Sequence, residues 1–127
     1  MIQQAYDFDP AAFLAAARVA ARVEYKPVQI AGLPPCFRRE LRAGDIFDAA
    51  AHREALKAAG MELDRKVDIA IGLAQTLCGP SGEPIFDPSS REHVQLLIDL
   101  PWDSVRDLIT GKWEGADPNP STDGSNT

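Results

Sequence analysis

The sequence predicts a mainly α fold: a small helical domain of about four to five helices with a short β-hairpin near residues 26-42. Three observations predict it. Helix-start residues (Asp9-Pro10, Asp45, Ser89-Ser90, Pro101) recur ahead of segments whose apolar side chains fall three or four apart. Strand-like alternation is confined to the stretch between Lys26 and Leu41. A chain of 127 residues, 45% hydrophobic and 25% charged, is sized for one core and not two. The expected organisation is an N-terminal Ala-rich helical arm at 1-24, a helical domain with hairpin at 25-113, and a disordered tail at 114-127.

The first element follows from Asp9, which can accept from the free amides of a helix start, and from Pro10, whose missing N–H costs nothing there. The helix is expected from about Pro10 to Val23. Phe13, Leu14, Val19 and Val23 are its apolar side chains, diluted by seven alanines that favour helix and permit close backbone approach. Two placements suit it: a core helix with a thin seam, or an arm that docks in a groove on another copy. Lys26 to Leu33 and Cys36 to Leu41 read as short strands around a Gly32-Pro34-Pro35 turn. A two-stranded hairpin is marginal in water, so this one must lie on helices or pair with another chain's edge.

Asp45 is expected to cap a helix through about Ala59, with Ile46, Phe47, Ala50 and Ala51 on one face and Gly60 as its stop. From about Leu63 to Cys78, Val67, Ala70, Ile71, Ala74, Leu77 and Cys78 recur at helical spacing, with Ile69 and Leu73 on a second face, which predicts the central helix. Gly79 to Pro84 is a breaker cluster; it lacks the Gly-Lys-Ser/Thr ending and preceding strand of a phosphate loop and reads as a plain turn. Ser89 or Ser90 can cap the next helix, with Val94, Leu97 and Ile98 on one face up to Leu100. The last helix, about Pro101 to Lys112, aligns Trp102, Val105, Ile109 and Trp113 at offsets of three, four and four. Core packing and a partner site both suit that stripe, since Trp is enriched at interface hot spots. Beyond Glu114 the chain is too polar to order itself.

A net charge of −6 with pI near 4.8 disfavours nucleic-acid backbones and anionic membrane surfaces as partners. The tail supplies three of the acids (Glu114, Asp117, Asp123) and no base, so the rest of the chain is less acidic than the total. No stretch reaches the roughly 18 apolar residues of a bilayer span, and the first ten residues lack a signal-peptide pattern, so the chain is expected in the compartment where it is made. Cys36 and Cys78 have no CxxC spacing, and with His52 and His93 they are scattered, so no metal site and no cofactor is expected. Cys36 or Cys78 with His52 or His93 is the one plausible nucleophile-and-base combination in the sequence. The thiols read as packed and the histidines as surface groups, and no catalytic residues are assigned. Arg38 and Arg39, adjacent on a strand, point to opposite faces and do not form one anion cradle.

The order of three segments carries a resemblance. Val28-Gln29-Ile30-Ala31-Gly32-Leu33 gives V-x-I-x-G-L, Arg39-Glu40-Leu41-Arg42-Ala43-Gly44 gives R-E-L-x-A-G, and Gly82-Glu83-Pro84-Ile85-Phe86 follows the central helix. In that order they resemble the tail assembly chaperones of long-tailed, siphovirus-like bacteriophages over roughly residues 26 to 113. The Ala-rich arm and Pro34-Pro35-Cys36 depart from that pattern. The resemblance implies a non-enzymatic, self-associating protein of the host cytoplasm. It would bind the tape measure protein, help recruit tail tube subunits, and leave the finished tail; a small structural tail or neck component retained in the virion is the alternative. It also implies a possible frameshift-extended form of the chain, for which Gly111-Lys112 would suit a slippery codon pair. The residues themselves indicate helix-in-groove contacts between apolar faces, with Phe13, Leu14, Trp102, Val105, Ile109 and Trp113 as candidate partner-binding residues.

Overall fold

A computed structural model describes residues 8–110. Its elements are α1 (Pro10–Ala20), β1 (Lys26–Val28), β2 (Cys36–Arg38), α2 (Ala43–Ala58), α3 (Arg65–Thr76), β3 (Leu77–Cys78), α4 (Arg91–Asp99) and α5 (Trp102–Thr110). Five helices and a small antiparallel sheet in the order β1-β2-β3 give the mainly α domain that the sequence predicts. Trp113, Gly111-Lys112 and the 114-127 tail lie outside the described residues.

The central helix is α3. Asp64 begins it by accepting from the Val67 amide at 3.2 Å, and Val67, Ala70, Ile71, Leu73 and Ala74 are all buried. Its most extensive packing is against α4, whose Val94 and Leu97 enter the same core. Ser90 caps α4 through the His93 amide at 3.2 Å. Val105 and Leu108 of α5, Val28 and Ile30 of the hairpin, and Leu56 and Met61 at the end of α2 close the core around α3.

Several boundaries differ from expectation. The central helix stops at Thr76, and Leu77 and Cys78 turn extended and pair with Arg38 and Phe37. This supplies the outer edge of β2 with a partner from its own chain, so the hairpin needs no second copy to complete it. An unpaired buried edge costs more than two residues of helix gain, which is why the apolar periodicity gives way there. The strands are also shorter than the alternation suggested, with the connection from Gln29 to Pro35 turning through Gly32 at φ +87°. Asp45 is not the cap of α2 but its third residue: Arg42 holds the cap position, and Asp45 reaches back to accept from the Arg42 amide at 2.8 Å. Gly60 does end α2, in the left-handed region at φ +89°.

The two N-terminal helices correct the burial expectation. α1 ends at Ala20 and has no buried residue, so it is not a core helix. In α2 the face carrying Ile46 and Phe47 is exposed, and Leu56 is the residue that enters the core. Polar contacts and not apolar packing hold the start of α2: Gln75 of α3 donates to the Asp45 carbonyl at 2.8 Å, and Arg42 donates to the Ala21 carbonyl at the end of α1.

Candidate interaction surfaces

An apolar cleft of about 250 Å³ lies where α3, α4 and α5 meet. Ile69 and Leu73 form one wall, Leu97 and Ile98 the other, and Trp102 and Ile109 the α5 lip. It arises because α5 is short and steeply amphipathic. Pro101 breaks the chain after α4, and α5 then lays Val105 and Leu108 onto the core without covering the groove beside them. The α5 stripe therefore divides. Val105 is 4% exposed and belongs to the core, Trp102 is 55% exposed at the lip, and Ile109 is half-buried between the two. Leu108, three residues beyond Val105, is the core residue that the Trp-centred stripe overlooked; the i, i+3 spacing was the available signal.

Arg38 fixes the far end of α5. Its guanidinium donates to the Leu108 carbonyl at 2.8 Å and to Thr76 Oγ1 at 3.4 Å, satisfying one of the carbonyls that a helix end leaves unpaired. Burial pulls this guanidinium below its usual range. Arg39 lies just past the end of β2 and not on the strand as expected; it makes a two-pronged contact with Asp45 at 2.7 and 2.8 Å and donates to the Gln75 carbonyl at 2.8 Å. The hydrogen bonds from Arg39 hold the Asp45 carboxyl below the usual carboxylate range. The two arginines thus do separate structural work, one holding α5 and the other the start of α2.

Other large apolar side chains are exposed on α1 and around the start of α2. Phe13 is 62% exposed and Phe47 78%, with Leu14, Val19, Leu41 and Ile46 also exposed. Arg42 joins the two helices by donating to the Ala21 carbonyl. Phe13 and Leu14 were expected to bind partners, and the fold leaves both outward. Leu41, expected at a strand end, and Ile46 and Phe47, expected on one face of α2, were not singled out for that role, because apolar patterning in a sequence does not show which face is covered. The fold brings Trp102, Val105 and Ile109 together on α5 but does not place Phe13 and Leu14 among the cleft-lining residues.

Both histidines take part in tertiary contacts instead of standing free on the surface. His52 Nδ1 lies 2.7 Å from Ser89 Oγ, tying α2 to the loop before α4. His93 Nδ1 accepts from the Asp87 amide at 2.8 Å while its ring meets Phe86 edge-on. Burial pushes the Cys36 and Cys78 thiols up, and the proximity of Cys78 adds to the rise at Cys36. Raised values suppress thiolate, the reactive form. Among the described residues no three His, Cys, Asp or Glu side chains gather to hold a metal, and no helix is long and apolar enough to cross a membrane.

The three sequence segments that carry the family resemblance serve the fold. Val28 and Ile30 are buried, Arg39 anchors Asp45, and Gly82, at φ +88°, lies under the Tyr25 ring. The exposed apolar residues lie largely outside those segments, apart from Leu41 and Ile85. No family model, no curated protein and no solved structure matches the chain.

Proposed function

We propose that this protein is a tail assembly chaperone of a long-tailed bacteriophage, acting in the host cytoplasm by holding the tape measure protein and assisting recruitment of tail tube subunits. The observation that carries the reading is the placement of large apolar side chains. Phe13 and Leu14 on α1, Ile46 and Phe47 on α2 and Trp102 on α5 are each more than half exposed, and large apolar side chains left in water in this number suit surfaces that bind other proteins. The ordered V-x-I-x-G-L, R-E-L-x-A-G and G-x-P-I-F segments supply the family suggested. A holder of helical clients needs apolar faces with a polar rim and no reacting groups. The Ser89–His52 contact and the two raised thiols are accounted for by packing within the domain.

Co-expression with the tape measure protein of the same phage tests the proposal. The tape measure protein is expected in the soluble fraction with the wild-type chain and in the pellet when Ile46 and Phe47 are both replaced by Asp. Equal precipitation with and without the wild-type chain overturns the reading. Mass spectrometry of purified virions supplies the second arm: a chaperone is absent from mature particles, whereas a tail or neck component is present.

A further inference from the structure

α1 carries its own start signals. Asp9 accepts from the Ala11 amide through its side chain at 3.0 Å and from the Phe13 amide through its carbonyl at 3.0 Å. Pro10 fills the first helical position, where a missing N–H costs nothing. Phe8, just before the cap, meets Phe13 in the first turn with ring centroids 6.0 Å apart. Such a hydrophobic staple fixes the angle at which the chain enters a helix. More than half of the helical residues are alanine, the strongest helix former, and Arg18 stands in the last turn, where a cation suits the helix dipole.

Its ties to the rest of the domain are few. Every residue from Phe8 to Glu24 is exposed, and none of α1 is buried. Among the described residues, its hydrogen bond with another element is the one that Arg42 donates to the Ala21 carbonyl, just past the last helical residue. Eleven residues with no core surface laid against them fall below the roughly 12–15 at which an isolated helix persists in water. The contacts at its own start then decide how much helix forms. α3 is the opposite case: Val67, Ala70, Ile71 and Ala74 lie in the core, so its amides open only when the domain opens.

We propose that α1 is a separately opening unit, exchanging between helix and coil while the domain from β1 to α5 stays folded, with Phe8 and Asp9 setting the helical fraction. Phe13 is then a brace as well as an exposed apolar side chain, because its ring meets Phe8 to hold the helix start. The inference concerns the free chain and does not rest on the tail-assembly reading.

Native-state hydrogen exchange and Cα chemical shifts of the full chain test it. In the wild type, the shifts across Pro10–Ala20 are expected between helix and coil values. The α1 amides are expected to be protected roughly tenfold or less, against roughly 1,000-fold or more in α3. Urea below the unfolding transition should lower the protection of α3 steeply, as global unfolding requires, and leave that of α1 nearly unchanged. Asp9→Ala and Phe8→Ser should each move the α1 shifts toward coil, Asp9→Ala lowering the helix-to-coil ratio by roughly fivefold, while the midpoint of urea unfolding of the domain stays in place. Four results each overturn the proposal: coil shifts throughout α1 in the wild type, α1 protection that falls with urea in step with that of α3, a midpoint moved by Asp9→Ala, or α1 shifts indifferent to both substitutions.

Discussion

Replacing Asp45 tests the account of how α2 is attached. Asp45 accepts two hydrogen bonds from Arg39 at 2.7 and 2.8 Å and a third from the Arg42 amide at 2.8 Å. The side chains of the pair are 19% and 14% exposed, between the fully exposed pairs that contribute about 0–1 kcal/mol and the buried pairs whose rupture costs about 3–5 kcal/mol. Partial access of water to the orphaned Arg39 places the loss of the pair at roughly 1.5 kcal/mol, and loss of the helix-start contact adds about 0.5 kcal/mol. Asp45→Ala is therefore expected to destabilise by about 2 kcal/mol, a fall in Tm of roughly 8–16 °C for a domain of this size. Asp45→Asn retains an oxygen for the Arg42 amide and should lose about half as much.

The same pair fixes a pH dependence. The folded Asp45 carboxyl lies below its unfolded value of about 3.9, so the unfolded chain binds the proton more readily. The stabilisation is complete above that unfolded value and is lost as pH falls through the folded one. Urea unfolding of wild type and Asp45→Asn at pH 7 and pH 3 should show the gap between them narrowing at the lower pH. A cost below about 0.5 kcal/mol for Asp45→Ala, within the range of ordinary surface changes, or a gap that does not change with pH, refutes the reasoning.

Other substitutions separate core from surface. Leu56, with 0% exposure, should cost about 3 kcal/mol as Ala in urea unfolding, whereas Phe47→Ala should stay within about 0.5 kcal/mol because its ring is 78% exposed. Gly82→Ala should lower Tm by an amount equivalent to about 1–3 kcal/mol, since an added Cβ would lie 2.5 Å from Tyr25 Oη on a backbone at φ +88°. Gly72→Ala, inside α3 with no atom near the added methyl, should instead stabilise by about 0.5–1 kcal/mol in the same melts. Burial raises both thiols, so iodoacetamide at neutral pH should label Cys36 and Cys78 slowly in the folded protein and quickly in urea; rapid labelling of folded Cys78 would contradict its packing.

The amino-acid sequence alone determined the elements whose causes are local. Asp64 and Ser90 cap the helices they precede, Gly60 stops α2, and the periodicity from Val67 to Ala74 marks the central helix, because each depends on residues within about one turn. Tertiary structure decided which apolar faces are covered. A helical stripe records that a face is apolar and not what lies against it, so the face expected to carry Ile46 and Phe47 proves exposed, while Leu56 at the other end of α2 is buried. The tertiary structure also decided the fate of Leu77 and Cys78. Their helical spacing continues that of α3, yet β2 lies alongside with hydrogen-bonding groups to satisfy, and the backbone leaves the helix to pair with it. The cleft is the third such case: Ile69, Leu97, Trp102 and Ile109 are distant in sequence, and only the packing of α5 beside α3 and α4 makes them one surface. Local hydrogen bonds and propensities act over a few residues, whereas burial is a property of the whole assembly of elements, and the exposed apolar surfaces of this protein belong to the second kind.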